Sequence, residues 1–294
     1  MITIFPTALQ AADDFDKNVH YFQPPVDGSG VILTYGSEPL NWFGLHYGVY
    51  ADEAIGHLTY EFPSGKRDIL ISNQTGVNAL FAVGLSKFFT AGVAFPFVPY
   101  REMNEKYKDE VEGIETTSLE DIRIEGKGIL LNRRSHCIGL AAALTVSVPV
   151  GNDPNSFLSD TGLTYTPRFI FDVGRHRWSA AFNVGYKRYT EYKESWELGL
   201  EVKDEIVFGL GAKLRFASYN ELMVDSVFRT QTSEFFSNQN ADYGEIMGAY
   251  RFIYGNYSLF AFTVGAGAGV MKGAGTPSVR MFIGVTSYEH HLEL

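Results

Sequence analysis

The sequence predicts an all-β protein, an antiparallel up-and-down transmembrane β-barrel of about twelve strands, on three observations. Large apolar residues alternate with small or polar ones through much of the chain, the period-two mark of a strand between two different environments. The alternating segments run to ten residues or more. Strands of soluble sheets average about five or six residues, whereas membrane strands need roughly 9–11. Short turns also alternate with longer polar loops along the chain, the outer-membrane pattern of short periplasmic turns and long external loops.

Composition agrees. With 45% apolar and 20% charged residues, the chain has the means to bury a core and is not a disordered polymer. Thirty Gly, 23 Phe and 17 Tyr in 294 residues favour sheet over helix. A formal net charge of -10 excludes a nucleic-acid partner as the first expectation. The lone Cys137 has no partner in the chain for a disulfide. Residues 1–12, MITIFPTALQAA, are expected to be the remnant of a secretory signal peptide, with Pro6 and the small pair Ala11 and Ala12 before an acidic start at Asp13. Residues 13–40 follow as an N-terminal periplasmic or lumenal segment, then the barrel over 41–288 and a tail over 289–294.

The first strand is expected in Trp42 to Ala51, with Phe43, Leu45, Tyr47 and Val49 outward and Trp42, Gly44, His46 and Gly48 inward. Asn78 to Tyr100 is long enough for a membrane helix, but Lys87 sits at its middle and Pro96 and Pro99 interrupt its second half. Period two makes it a hairpin turning at Ser86-Lys87, with Phe89, Ala91, Val93, Phe95 and Phe97 on its second apolar face. In Cys137 to Val150 the lipid-facing set is Ile138, Leu140, Ala142, Leu144, Val146 and Val148. Near the end Phe260, Phe262, Val264, Ala266, Ala268 and Val270 face lipid, opposite Ala261, Thr263, Gly265, Gly267 and Gly269. Further short turns are expected at Asn132 to His136, Gly174 to Arg177, Ala217 to Asn220 and Gly255 to Ser258; long loops at 101–118, 151–160, 190–203 and 232–242. Val31 to Ser37 is either an ordered N-terminal piece or a further strand, which would make fourteen the alternative count. An even count brings both termini to the periplasmic side.

Charges fall on the other face. Asp121, Arg123, Glu125 and Lys127 alternate in sign along one strand, and Arg168, Asp172, Lys187, Lys213, Arg215, Asp225, Arg229, Glu245, Arg251 and Arg280 occupy inward positions on others. The lipid face would make each costly, so they are expected to line the lumen and pair across it. Tyr47, Tyr50, Tyr100, Tyr165, Trp178, Tyr186, Tyr250, Tyr254 and Tyr288 lie towards segment ends as interfacial girdles.

The stretches SLEDIRIEGKGILL, LTVSVPVGNDPNSFLSD, KDEIVFGLGAKLRF and GAGAGVMKGAGTPSVRMFIGV, spread through residues 20–288, resemble the barrel of OmpA-like, porin-like outer-membrane proteins of predatory bacteria and myxobacteria. Many such proteins carry a C-terminal peptidoglycan-binding domain, whose role is not expected to carry over to this chain. The resemblance implies a non-catalytic barrel of the Gram-negative outer membrane that self-associates and encloses or organises lipid.

The residues themselves offer little chemistry. Gly265, Gly267 and Gly269 miss the third glycine of a nucleotide loop, Gly65-Lys66-Arg67 lacks the rest of a phosphate loop, and no G-x-S-x-G elbow occurs. No metal-ligand spacing appears among the seven His. Asn152, Asp153, Asn155 and Asp160 read as a polar turn about Pro154 before a calcium loop. No enzyme activity, cofactor or metal is therefore expected, and the partners expected are membrane lipid, lipopolysaccharide and further copies of the chain. A structural barrel ranks first, a passive diffusion channel for small solutes second, and a barrel hydrolase using His46 third.

Overall fold

The computed structural model describes residues 17–61, 67–104, 117–150, 157–175, 177–191, 194–195, 200–254 and 260–288. Twelve long strands form the wall: β1 Leu45–Glu61, β2 Arg67–Ser86, β3 Phe89–Met103, β4 Ile122–Leu131, β5 Ile138–Val148, β6 Thr164–Arg175, β7 Trp178–Tyr189, β8 Glu205–Ala217, β9 Asn220–Gln231, β10 Tyr243–Tyr254, β11 Phe260–Gly269 and β12 Val279–Ser287. Each pairs antiparallel with its sequence neighbours, and β1 pairs with β12, Gly48 opposite Thr286, so the ring closes. Closure removes the free edges that would otherwise leave backbone groups unpaired in lipid. The two-residue strand Ser118–Leu119 adds to β3, Glu194–Ser195 pairs with Leu200–Glu201, and one helical turn spans Arg133–His136.

The faces follow the period. Ile138, Leu144, Phe262 and Val264 are exposed on the outer face, with Leu140, Val146 and Phe260 half-buried beside them. Inward positions of the same strands hold Ala141, Ala143, Thr145, Ala261 and Thr263, all buried. Gly265, Gly267 and Gly269 belong to β11, where small inward positions admit neighbours such as Phe282 and Met247.

Several expectations about the elements are corrected. The first strand begins at Leu45, not Trp42: Gly44 N–H donates to the Asn41 carbonyl in a turn, and Phe43 adopts φ 56°. Trp42 therefore points outward, 70% exposed and stacked on Phe43, rather than into the lumen. β1 and β2 continue well past the apolar belt, to Glu61 and from Arg67. There polar residues such as Asp52, Glu53, Asn73 and Gln74 interrupt the apolar alternation, which is why the sequence pattern did not extend the strands this far. Gly56, at φ 64°, marks a bulge where the β1–β2 register shifts. Tyr50 is buried and faces the interior, on the parity of His46 and Gly48, and Tyr288 contacts Arg215 inside. Tyr47, Tyr100, Tyr165, Trp178, Tyr186, Tyr250 and Tyr254 are exposed. Residues 1–12, 255–258 and 289–294 lie outside the described residues, as do Asn152, Asp153 and Asn155.

Candidate functional site: a lumen closed by the N-terminal segment

The segment Lys17 to Asn41 forms no strand; it runs through the barrel interior from the long-loop mouth to the short-turn mouth. At one end Lys17 Nζ lies 2.7 Å from Glu205, at the long-loop end of β8, and Asn18 N–H donates to Asp160 at 3.1 Å. At the other, Leu40 N–H donates to Thr90 Oγ1 near the β2–β3 turn, and Phe43 N–H to the Gly84 carbonyl. The start of β1 and the end of β12 share the short-turn end, as expected of an even barrel, yet Lys17 stands at the opposite mouth.

An irregular segment cannot satisfy its own backbone, and buried unpaired amides are costly. Here the wall supplies the partners. The N–H groups of Ile32, Leu33 and Thr34 all donate to Asp225 Oδ2 at 2.8–2.9 Å, and Thr34 Oγ1 donates to Oδ1. Three successive amides around one carboxylate make an anion nest built from the segment rather than the wall. Ser37 gives both its N–H and its hydroxyl to Asp172, at 2.9 and 2.7 Å. Asn183 is bidentate to Tyr35, accepting its N–H at 2.6 Å and donating to its carbonyl at 3.0 Å. Carbonyls take the wall's cations: Gly36 and Glu38 accept from Lys127 Nζ at 3.0 and 2.8 Å, and Val31 from Arg251 at 3.3 Å.

Side chains complete the seal. His20 lies between Glu120, 2.7 Å from Nδ1, and Asp52, 3.1 Å from Nε2. Ionised carboxylates only accept, so an imidazole bonded to one at each nitrogen is the cation. Asp27 pairs with Lys127, and Tyr35 Oη donates to Glu125 at 2.6 Å beneath the Arg168 guanidinium, 4.1 Å above its ring. Phe22 packs on Phe282 at 5.1 Å and Tyr21 on Tyr243 at 4.6 Å between ring centroids. With Val19, Val26, Val31, Ile32 and Leu33 they form one apolar cluster with wall residues. Each such side chain contributes roughly 1.5–3 kcal/mol on burial.

The structure places all fourteen charged residues read as inward on the interior face. Asp121, Arg123, Glu125, Lys127, Asp172, Lys187, Asp225, Arg229, Glu245, Arg251 and Arg280 are buried, and Arg168, Lys213 and Arg215 half-buried. It does not bring them together as pairs spanning an empty lumen. Arg280 bonds Glu245 at 2.9 Å and also Asp52, Arg215 bonds Glu221 at 2.6 Å, and Lys187 bonds Asp160 at 2.6 Å. Asp225, Asp172, Glu125, Lys127 and Arg251 instead engage the N-terminal segment. Sequence reasoning missed Lys17, His20, Asp27, Tyr35, Asp52, Glu120, Asp160, Glu205 and Glu221. Three carried a signal: Asp52 on the parity of His46 and Gly48, Glu205 on that of Lys213 and Arg215, and Glu221 on that of Asp225 and Arg229.

His46 does meet a hydroxyl: Ser287 Oγ lies 3.2 Å from Nδ1. Its Nε2 has no hydrogen-bond partner among the described residues, so no carboxylate orients the ring as a general base. Among the described residues no cluster of three or more His, Cys, Asp or Glu is arranged for a metal, and no helix is long and apolar enough to cross a membrane.

No family model matches the chain, and no curated protein matches it. Solved structures do match in fold. An outer membrane channel from Pseudomonas putida F1 aligns over 85% of this chain and 97% of its own at 10% identity, with a TM-score of 0.61. The NanC porin covers 82% of this chain and 99% of its own at 8% identity, TM-score 0.55. The KdgM porin covers 83% and 99% at 7% identity, TM-score 0.50. These likenesses are of fold. With the closed wall and its apolar exterior they show a closed antiparallel β-barrel of the transmembrane type, sharing its fold with outer-membrane channels and porins.

Proposed function

We propose that the chain is a passive channel for small solutes that rests closed, with residues 17–41 as the closing element, and that it has no enzymatic activity. The observation that carries this reading is that the occluding element is not part of the wall. Interior side chains hold it by hydrogen bonds and ion pairs, while the closed ring of wall strands depends on none of them. A structural barrel would occlude its lumen as well by wall side chains alone. The fold neighbours, an outer membrane channel and two porins, point the same way, and favour a channel over a self-associating, lipid-organising barrel. Lipid and lipopolysaccharide are the proposed surroundings of the apolar exterior.

Planar-bilayer recording tests the reading. Asp225→Ala removes the acceptor of four donors on the segment and leaves the wall ladder untouched. The expected result is rare, brief openings in the parent protein and at least a tenfold higher open probability in the variant. If both proteins, folded and inserted, stay silent under an applied potential, the channel reading fails.

A further inference from the structure

The segment does not fill the lumen evenly. Beside Tyr21 and Tyr35, between the segment and β4 to β9, lies a pocket of about 40 Å³, room for a few waters or one small polar group. Its wall residues sit in the halves of their strands nearest the long loops: Arg123 in β4, Arg168 in β6, Lys187 in β7 and Arg229 in β9.

The charge on this wall is unbalanced. Four cations line the pocket against two carboxylates, Asp121 and Asp160. Lys187 and Asp160 neutralise each other at 2.6 Å. Burial, with the Asp160 charge beside it, pushes the Asp121 carboxyl above the usual carboxylate range, which weakens it as a counter-charge. Arg229 reaches Glu205 only at 3.8 Å. Neither Arg123 nor Arg168 forms an ion pair among the described residues, and Arg123 Nε, Arg168 Nη1 and Arg229 Nε have no hydrogen-bond partner there. Buried guanidinium groups with spare donors are costly alone and favourable around a planar or tetrahedral oxyanion.

We propose that this pocket binds the oxyanion group, carboxylate or phosphate, of a small solute, making the long-loop half of the lumen an anion-recognition site. The proposal rests on the channel reading for its purpose, since it names the solute class, but it is measured without conduction.

Line broadening of the ³¹P signal of inorganic phosphate and of the ¹⁹F signal of trifluoroacetate, each with the detergent-purified full chain, reads weak binding directly. The expected result is broadening of one or both signals that falls at least fivefold in Arg168→Gln. Arg168 forms no ion pair within 4 Å among the described residues, and Glu125, the buried carboxylate whose charge it offsets, keeps its hydrogen bonds from Tyr35 and Thr145 in that variant. Lys272→Gln, at an exposed loop position, is expected to leave the broadening unchanged. Phosphate alone or trifluoroacetate alone identifies which oxyanion the site takes. No broadening with either probe, or equal broadening in parent and Arg168→Gln, overturns the proposal. Should Arg168→Gln fail to fold, Ser147→Asp adds a carboxylate to the same wall and must abolish the broadening. Oxyanion binding with a silent bilayer would remove the channel reading alone; conductance without oxyanion binding would remove this one alone.

Discussion

At Gly139 a Cβ would stand 1.9 Å from Ser37 Oγ and 2.0 Å from Asp172 Oδ1. Glycine there is what lets the segment come close enough to give two hydrogen bonds to one carboxylate. Gly139→Ala is expected to break both, at about 1.5–3 kcal/mol each for bonds to a charged acceptor, while β5 keeps its ladder. Hydrogen exchange at Ser37 should speed up by at least tenfold with exchange in β5 unchanged; unchanged protection at Ser37 would show that the carboxylate does not hold it. The inward position of Asp172 and Asp225 was legible from period two. Their partners were not, because a carboxylate's parity says which way it points and nothing about what reaches it.

In the proposed channel the N-terminal segment is the closing element, and its displacement on opening can be tested by pinning it. A Cβ built on Gly209 of β8 lies 3.5 Å from Thr34 Cβ, at the short end of disulfide geometry. With exposed Cys137 replaced by Ser, a Thr34→Cys/Gly209→Cys protein is expected to be closed when oxidised and to regain the parent's openings on reduction. Equal conductance in the two redox states would mean that solute passes without displacement of the segment. Residues 17–41 carry no period of 2 or 3.6, so sequence patterning had nothing to read. Val31 to Ser37 looks strand-like because it is apolar. It is bent instead, since Val31 N–H returns to the Thr34 carbonyl at 3.0 Å and the three amides at 32–34 converge on Asp225.

At the scale of the whole molecule the barrel is turned inside out relative to a soluble protein, with apolar side chains outside and paired charges within. Val264, at the middle of β11, is 53% exposed on the outer face. Val264→Arg is expected to destabilise the folded barrel in bilayers by about 2–4 kcal/mol, as a cation at the midplane of the lipid face does. Thr263→Ser, its inward neighbour, should cost far less. Unfolding titrations in lipid vesicles compare the two, and equal stability would mean that this face does not meet hydrocarbon. The interior is equally committed: His20, Asp52, Glu245 and Arg280 are all fully buried or nearly so, a network that is stable only while every charge keeps its partner.

The sequence by itself determined the all-β class, a wall of about twelve long strands and the two-faced alternation along most of them. A strand in a barrel has two solvents, and each residue must match one of them, so alternation is written locally. Only the tertiary structure decided that the lumen is closed, and by what. The contacts that close it join residues as far apart as Ile32 and Asp225, or Lys17 and Glu205, and are made by an irregular segment whose backbone is satisfied by side chains from many strands. No local pattern encodes such contacts, because they depend on where the closed ring brings distant carboxylates and cations to face one another.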